Sequence, residues 1–177
     1  EQVRRSVGYV MYLLDTNVFI TAKNSYYGTD FAPGFWEWLS QEFRLTDLRS
    51  VAAVREEIFA QEDALTLWAR QMPADFWLDE VNTDVPSLRA VATWAMTGDR
   101  RFYQQARTDF LATADYRLVA QAHAGEHVVV THEAPQPEGK KRIKIPDVCA
   151  AFNLKQREPF GLFRDLGLKL ARPSTAP

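Results

Sequence analysis

Four carboxylates fall where a folded chain would do chemistry. Asp15 follows directly on the apolar run Tyr9 to Leu14, and Glu133 stands just beyond a second run, Val128 to Thr131. Both runs read as strands, and ligands of parallel α/β sheets gather at the carboxyl ends of strands. Asp115 opens the helical stretch that feeds the second run. Taken alone it is a simple cap, because helix N-termini favour negative charge. Helical geometry separates Glu56 from Glu57. With Val51, Val54 and Ile58 on the buried stripe, Glu57 borders that stripe and Glu56 points away, so Glu57 is the one that reaches toward a cleft. Carboxylates crowded together without a cation repel and raise one another's pKa. A gathering of three or four therefore implies a bound divalent cation, and hard oxygen donors select Mg2+ or Mn2+. The chemistry most often run at such a site is attack by activated water on a phosphodiester, with no protein nucleophile. No Gly-rich phosphate loop, Ser/His/Asp order or activated Cys/His pair offers another mechanism.

Around these acids lie supporting groups. Thr131 ends its strand and can hydrogen-bond a ligand or bound water, though it also reads as an ordinary strand-end threonine. His132 is better read as surface or core filler than as a proton shuttle, which metal-activated water does not need. Lys140, Lys141, Arg142 and Lys144 follow a Pro-rich stretch and form the one conspicuous basic cluster. They read either as a solvated loop or as the phosphate-positioning segment for RNA. The formal net charge of −2 does not itself advertise a nucleic-acid binder, so the distribution of charge has to decide.

The elements that position these residues read as strand, helices, strand. Pro33 opens an aromatic-rich helix carrying Phe35, Trp36, Trp38, Leu39 and Phe43. Ser50 reads as the cap of the helix bearing Glu57. Further helices are expected over about Asp63–Gln71, Ser87–Met96, Arg101–Leu111 and Asp115–Ala122, with Gly125 as a C-terminal cap and a weak strand over Phe76–Val81. Strands separated by helices predict a parallel sheet covered on both faces. A length of 177 residues, 46% hydrophobic, suits a single domain over about residues 11–170, with residues 1–10 an upstream extension and 171–177 a tail. No apolar run approaches the roughly 20 residues of a membrane helix. The lone Cys149 forms no internal disulfide, and a reducing cytoplasm fits. Trp36, Trp38, Trp68 and Trp94 offer apolar surface for a homodimer.

Leu13-Leu14-Asp15-Thr16-Asn17-Val18 resembles the opening motif of PIN-domain nucleases, in which the Asp ligates metal and the small polar residues after it, here including Asn17, order the site. Val54 to Ile58 is similar to the second motif and again selects Glu57. Asp115 to Ala122 resembles the third. At the fourth, Val129 to Glu133 carries Glu where many relatives carry Asp. Lys144-Ile145-Pro146-Asp147-Val148-Cys149 looks like the ending of a bacterial PIN-like subfamily of unassigned function, which also shares the opening Tyr12 to Lys23 and Pro33-Gly34-Phe35-Trp36. There Asp147 supplements or replaces Glu133 as a ligand. The resemblance implies a three-layer α/β/α sandwich around a mainly parallel sheet and a metal-dependent endoribonuclease. It also implies the toxin half of a toxin–antitoxin pair, with an antitoxin protein as partner. A catalytically weak RNA- or protein-binding module of the same fold is the alternative.

Overall fold

A computed structural model describes residues 10–171. The extension and tail expected from the sequence lie outside the described residues except for Val10 and Ala171. The strands are β1 (Tyr12–Leu14), β2 (Leu48–Val51), β3 (Trp77–Leu78), β4 (Val128–Val130) and β5 (Gln156–Arg157), in the order β3-β2-β1-β4-β5. Every neighbouring pair is parallel, and Leu13 stands opposite both Arg49 and Val129. The central strands are apolar because both faces are covered: Leu13, Leu14, Val129 and Val130 are fully buried.

The helices are α1 (Thr16–Thr21), α2 (Pro33–Leu45), α3 (Ala52–Phe59), α4 (Ala64–Gln71), α5 (Val85–Thr97), α6 (Gln104–Ala112), α7 (Ala114–Gly125), α8 (Ile145–Ala151) and α9 (Pro159–Asp165). A π turn, Ala22–Tyr26, prolongs α1. Connections from β1 through β3 run toward one edge of the sheet, and those into β4 and β5 run toward the other. Right-handed crossovers therefore place the two sets of helices on opposite faces, which makes the three-layer α/β/α sandwich. On one face Phe35 and Trp38 of α2 pack edge-on against Phe163 of α9, at 5.4 and 5.5 Å between ring centroids. Trp36 and Trp68 are buried there, Trp36 donating to the Tyr27 carbonyl and Trp68 to the Ser40 hydroxyl, so these tryptophans serve the core rather than a dimer surface. Across the sheet α7 packs on β2 and β4 through Leu118, Val119 and Ala122, with α5 and α6 outside it. Among the described residues no helix is long and apolar enough to cross a membrane.

Two local expectations are corrected. Ser50 does not cap a helix but lies inside β2, fully buried, where its hydroxyl donates to the Leu14 carbonyl at 2.6 Å. The left-handed residue closing α7 is Glu126 (φ 53°), not Gly125. Gly125 is needed for a different reason, since a Cβ there would meet the His127 ring at 2.1 Å.

Candidate metal centre

The sheet reverses its order of connection at β1, whose two neighbours are reached by crossovers of opposite direction, and this opens a crevice at the carboxyl ends of β1 and β4. Asp15 sits in it. Its amide donates to the Val130 carbonyl at 3.0 Å, which extends the β1–β4 ladder by one rung and aims the side chain out of the strand end. The carboxylate is almost wholly buried and accepts from the Thr131 hydroxyl at 2.9 Å. Thr131 in turn accepts from the Glu133 amide at 3.1 Å and from Asn17 at 3.4 Å, while Asn17 accepts from the His132 amide at 3.3 Å. The loops after β1 and β4 are thus tied together through Asn17 and Thr131.

Glu57 projects from α3 to the same edge, while Glu56 faces solvent. One Glu57 oxygen accepts from the Thr16 hydroxyl at 2.5 Å, the other from the amide of Ala114 at 2.8 Å. It therefore caps α7 from outside the chain segment, satisfying a free amide at the helix start. That start carries Asp115 in its first turn.

The acids act on each other. Burial, then the neighbouring charges of Asp115 and Glu133, push the Asp15 carboxyl up to about 8 against the pull of the Thr131 hydrogen bond. Burial, with the charges of Glu133 and Glu57, pushes Asp115 up to about 6, opposed by Arg142 and Lys144. Without a cation Asp15 keeps its proton at neutral pH.

Glu133 is committed to its own chain. Its carboxylate accepts from Lys144 at 3.0 Å and from the Ile145 amide at 2.8 Å, and pairs with Arg142 at 2.9 Å. Asp147 faces elsewhere. It accepts from the Gln136 amide at 3.0 Å, and Arg100 lies 3.0 Å from its other oxygen, off the hydrogen-bonding direction, as an ion pair. Arg100 also donates to the carbonyls of Gln136 and Gly139, so Asp147 and Arg100 together pin the loop leading to the basic segment. Asp147 is not among the charges that move Asp15 or Asp115. The structure therefore brings Asp15, Glu57, Asp115 and Glu133 within electrostatic reach of one another and leaves Asp147 apart. Lys140, Lys141 and Arg142 are exposed, and Lys141 and Arg142 share with Asp115 the wall of a 220 Å3 cleft. The sequence reading missed Arg100, whose partner lies far along the chain.

Residues 12–170 match a family model described as a domain of unknown function, DUF4411. The chain belongs to the DUF4411 family. No match was found among curated proteins or among solved structures.

In this DUF4411 chain, no three His, Cys, Asp or Glu side chains among the described residues stand ready to grip one ion as they lie. The donor chemistry still fits Mg2+ or Mn2+, which hold several waters and bind through as few as one or two carboxylates. Asp15 and Asp115 are the pair whose charge the fold leaves least compensated, and they are the oxygens that would hold the cation, with Glu57 beside them.

Proposed function

We propose that this chain is a Mg2+- or Mn2+-dependent ribonuclease acting at the crevice between β1 and β4. The observation that carries the proposal is the raised pKa of two buried carboxyls set among other acids, Asp15 by burial and the charges of Asp115 and Glu133 and Asp115 by burial and the charges of Glu133 and Glu57, an arrangement that a divalent cation relieves and that folding alone does not reward. When bound, the cation supplies positive charge to a phosphodiester and lowers the pKa of water for in-line attack. The chain's residues have separate tasks. Asp15 and Asp115 supply negative oxygens, Thr131 fixes the Asp15 carboxylate by donating to it, and Glu57 holds the start of α7 so that Asp115 faces the crevice. Lys141 and Arg142, on the cleft wall beside Asp115, offset the repulsion between an acidic site and a polyanion. The assignment to RNA and to the toxin half of a toxin–antitoxin pair rests on the resemblance to PIN-domain proteins.

A second reading, an RNA- or protein-binding module with little cleavage, draws support from Glu133, whose oxygens are already taken by Arg142, Lys144 and the Ile145 amide. Calorimetric titration with Mn2+ beside cleavage of single-stranded RNA separates the two. Metal binding and cleavage that both fail in Asp15→Asn support the nuclease. Binding without cleavage supports the module, and no metal binding at all sinks both the centre and the nuclease.

A further inference from the structure

An aromatic cluster adjoins the acidic crevice. From Asp15 the path runs through Thr131 and Asn17 to the backbone of His132, each step a hydrogen bond. The His132 ring packs edge-on against Phe160 at 5.3 Å between centroids, and Tyr26 stands perpendicular to Phe160 at 4.8 Å. Phe160 then forms a wall of a 230 Å3 pocket with Tyr27, Phe163 and Arg164. Core packing accounts for Phe163, which is buried, and for Tyr27, which stacks on Phe35 at 4.1 Å. It accounts for only part of Tyr26, which packs on Phe160 yet leaves half of its surface to water at the end of the π turn.

The geometry points to a nucleobase subsite: Tyr26 and Phe160 offer ring surfaces to an unpaired base of a single-stranded RNA, and the pocket bearing Arg164 receives its edge. This rests on the proposed reading of the acidic crevice. The occupant follows from three features. The pocket is smaller than the roughly 300–1,000 Å3 of drug-sized sites, on the scale of one heteroaromatic ring system. Its walls are three aromatic rings, Leu168, Leu170 and one guanidinium, and the rings with the guanidinium are the groups that stack on bases and hydrogen-bond their edges. It also opens within a few side chains of the carboxylates, as a strand crossing the crevice requires. Burial lowers the His132 pKa, which keeps that ring neutral and suited to packing beside a base at neutral pH. Glu158, whose oxygens cap α9 by accepting from the amides of Phe160 and Gly161, lies 3.9 Å from the His132 ring and opposes that lowering with the smaller effect.

Fluorescence anisotropy tests it with a short labelled oligouridylate and the matching abasic strand, in Ca2+ so that binding is read apart from cleavage. Tyr26→Ala, at a half-exposed position, should weaken oligouridylate binding about 5- to 150-fold, the usual worth of one base–aromatic stack, with an unchanged circular-dichroism spectrum and with Tyr26→Phe within about twofold of wild type. The salt dependence should stay parallel, because the ring touches no phosphate. Equal affinity of wild type for the abasic strand, or unchanged affinity in Tyr26→Ala, overturns the subsite, as does failure to bind either strand. RNA cleavage in Mn2+, measured alongside, keeps the two claims distinct. Cleavage without a stacking effect removes only the subsite, and a stacking effect without cleavage removes only the nuclease.

Discussion

Asp15 offers a direct physical test through Asp15→Asn in metal-free protein. The native carboxyl titrates near 8, against 3.8 in the free side chain. A carboxyl raised in the folded state contributes its stability in full below the free value and loses it as pH rises through the folded value. Between the two, the unfolded chain has released a proton that the native chain still holds, so stability falls by up to about 1.4 kcal/mol per pH unit. From about pH 5.5 to about pH 7.5 the loss due to Asp15 reaches at most about 3 kcal/mol, and for a domain of this size each kcal/mol moves the melting temperature by about 2–4 °C. Water entering the crevice relaxes part of this, so a fall of roughly 4–8 °C is expected. Asp115 adds to the slope only up to about 6. His127 and His132, both lowered by burial, act in the opposite sense below the ordinary histidine range. They do so in wild type and variant alike, which is why the difference between the two proteins isolates Asp15. Asn carries no charge in either state, so Asp15→Asn should melt with a visibly flatter pH profile in chelator, whatever constant offset the amide introduces. Mn2+ should raise the wild-type melting temperature more at the alkaline end, where its ligands are ionised, and should barely move the variant. Circular-dichroism melts across this range suffice. Parallel profiles for wild type and Asp15→Asn would show that no proton is trapped at Asp15, and the inference from crowded carboxylates to metal would fall with it.

The remaining expectations follow from the partners of each charge. Arg100→Leu strands the buried Asp147 charge and frees the loop before the basic segment, so it should cost about 3 kcal/mol or more in urea titrations; a loss below about 1 kcal/mol would mean the pair is solvent-screened. Changing Lys140 and Lys141 to Gln should weaken single-stranded RNA binding and lower its salt slope by about 0.7 for each lost phosphate contact, and an unchanged slope assigns them to solvent. Glu133→Gln should release Arg142 and Lys144 and take away a charge that raises both Asp15 and Asp115. RNA affinity should then rise while Mn2+ affinity in calorimetry stays within about tenfold, the lower edge of what losing a metal's supporting shell costs; a larger drop would make Glu133 a ligand.

What could be read from the sequence follows from where burial is continuous. β1 and β4 were legible because both faces are covered, which writes an unbroken apolar run. β2 was not, because its residues are Leu48, Arg49, Ser50 and Val51. Ser50 is buried only because the Leu14 carbonyl takes its hydroxyl, and Arg49 spends its guanidinium on the carbonyls of Phe43 and Leu48. Those contacts are tertiary and leave no period in the chain. β5 is two exposed polar residues held by the ladder to β4, so nothing in its composition marks a strand.

The same division runs through the candidate site. Asp15 and Asp115 could be singled out because strand ends and helix starts are positions, and positions survive in sequence. Glu133 and Asp147 look equivalent to them along the chain, each an acid near the end of an apolar run. What separates them is the location of the compensating charge. Arg142 and Lys144 lie close enough in sequence to be taken for a free basic patch, yet in the fold both reach back to Glu133. Arg100 neutralises Asp147 from 47 residues away. A carboxylate already matched by a cation of its own chain gains less from a divalent ion than one held among other acids, because binding must first break the existing pair. By that accounting the proposed centre would be built on Asp15 and Asp115, while Glu133 joins the acidic crevice to the basic segment. Phosphate arriving at Arg142 would compete with Glu133 for the same guanidinium, which couples substrate binding to the charge that the two aspartates feel.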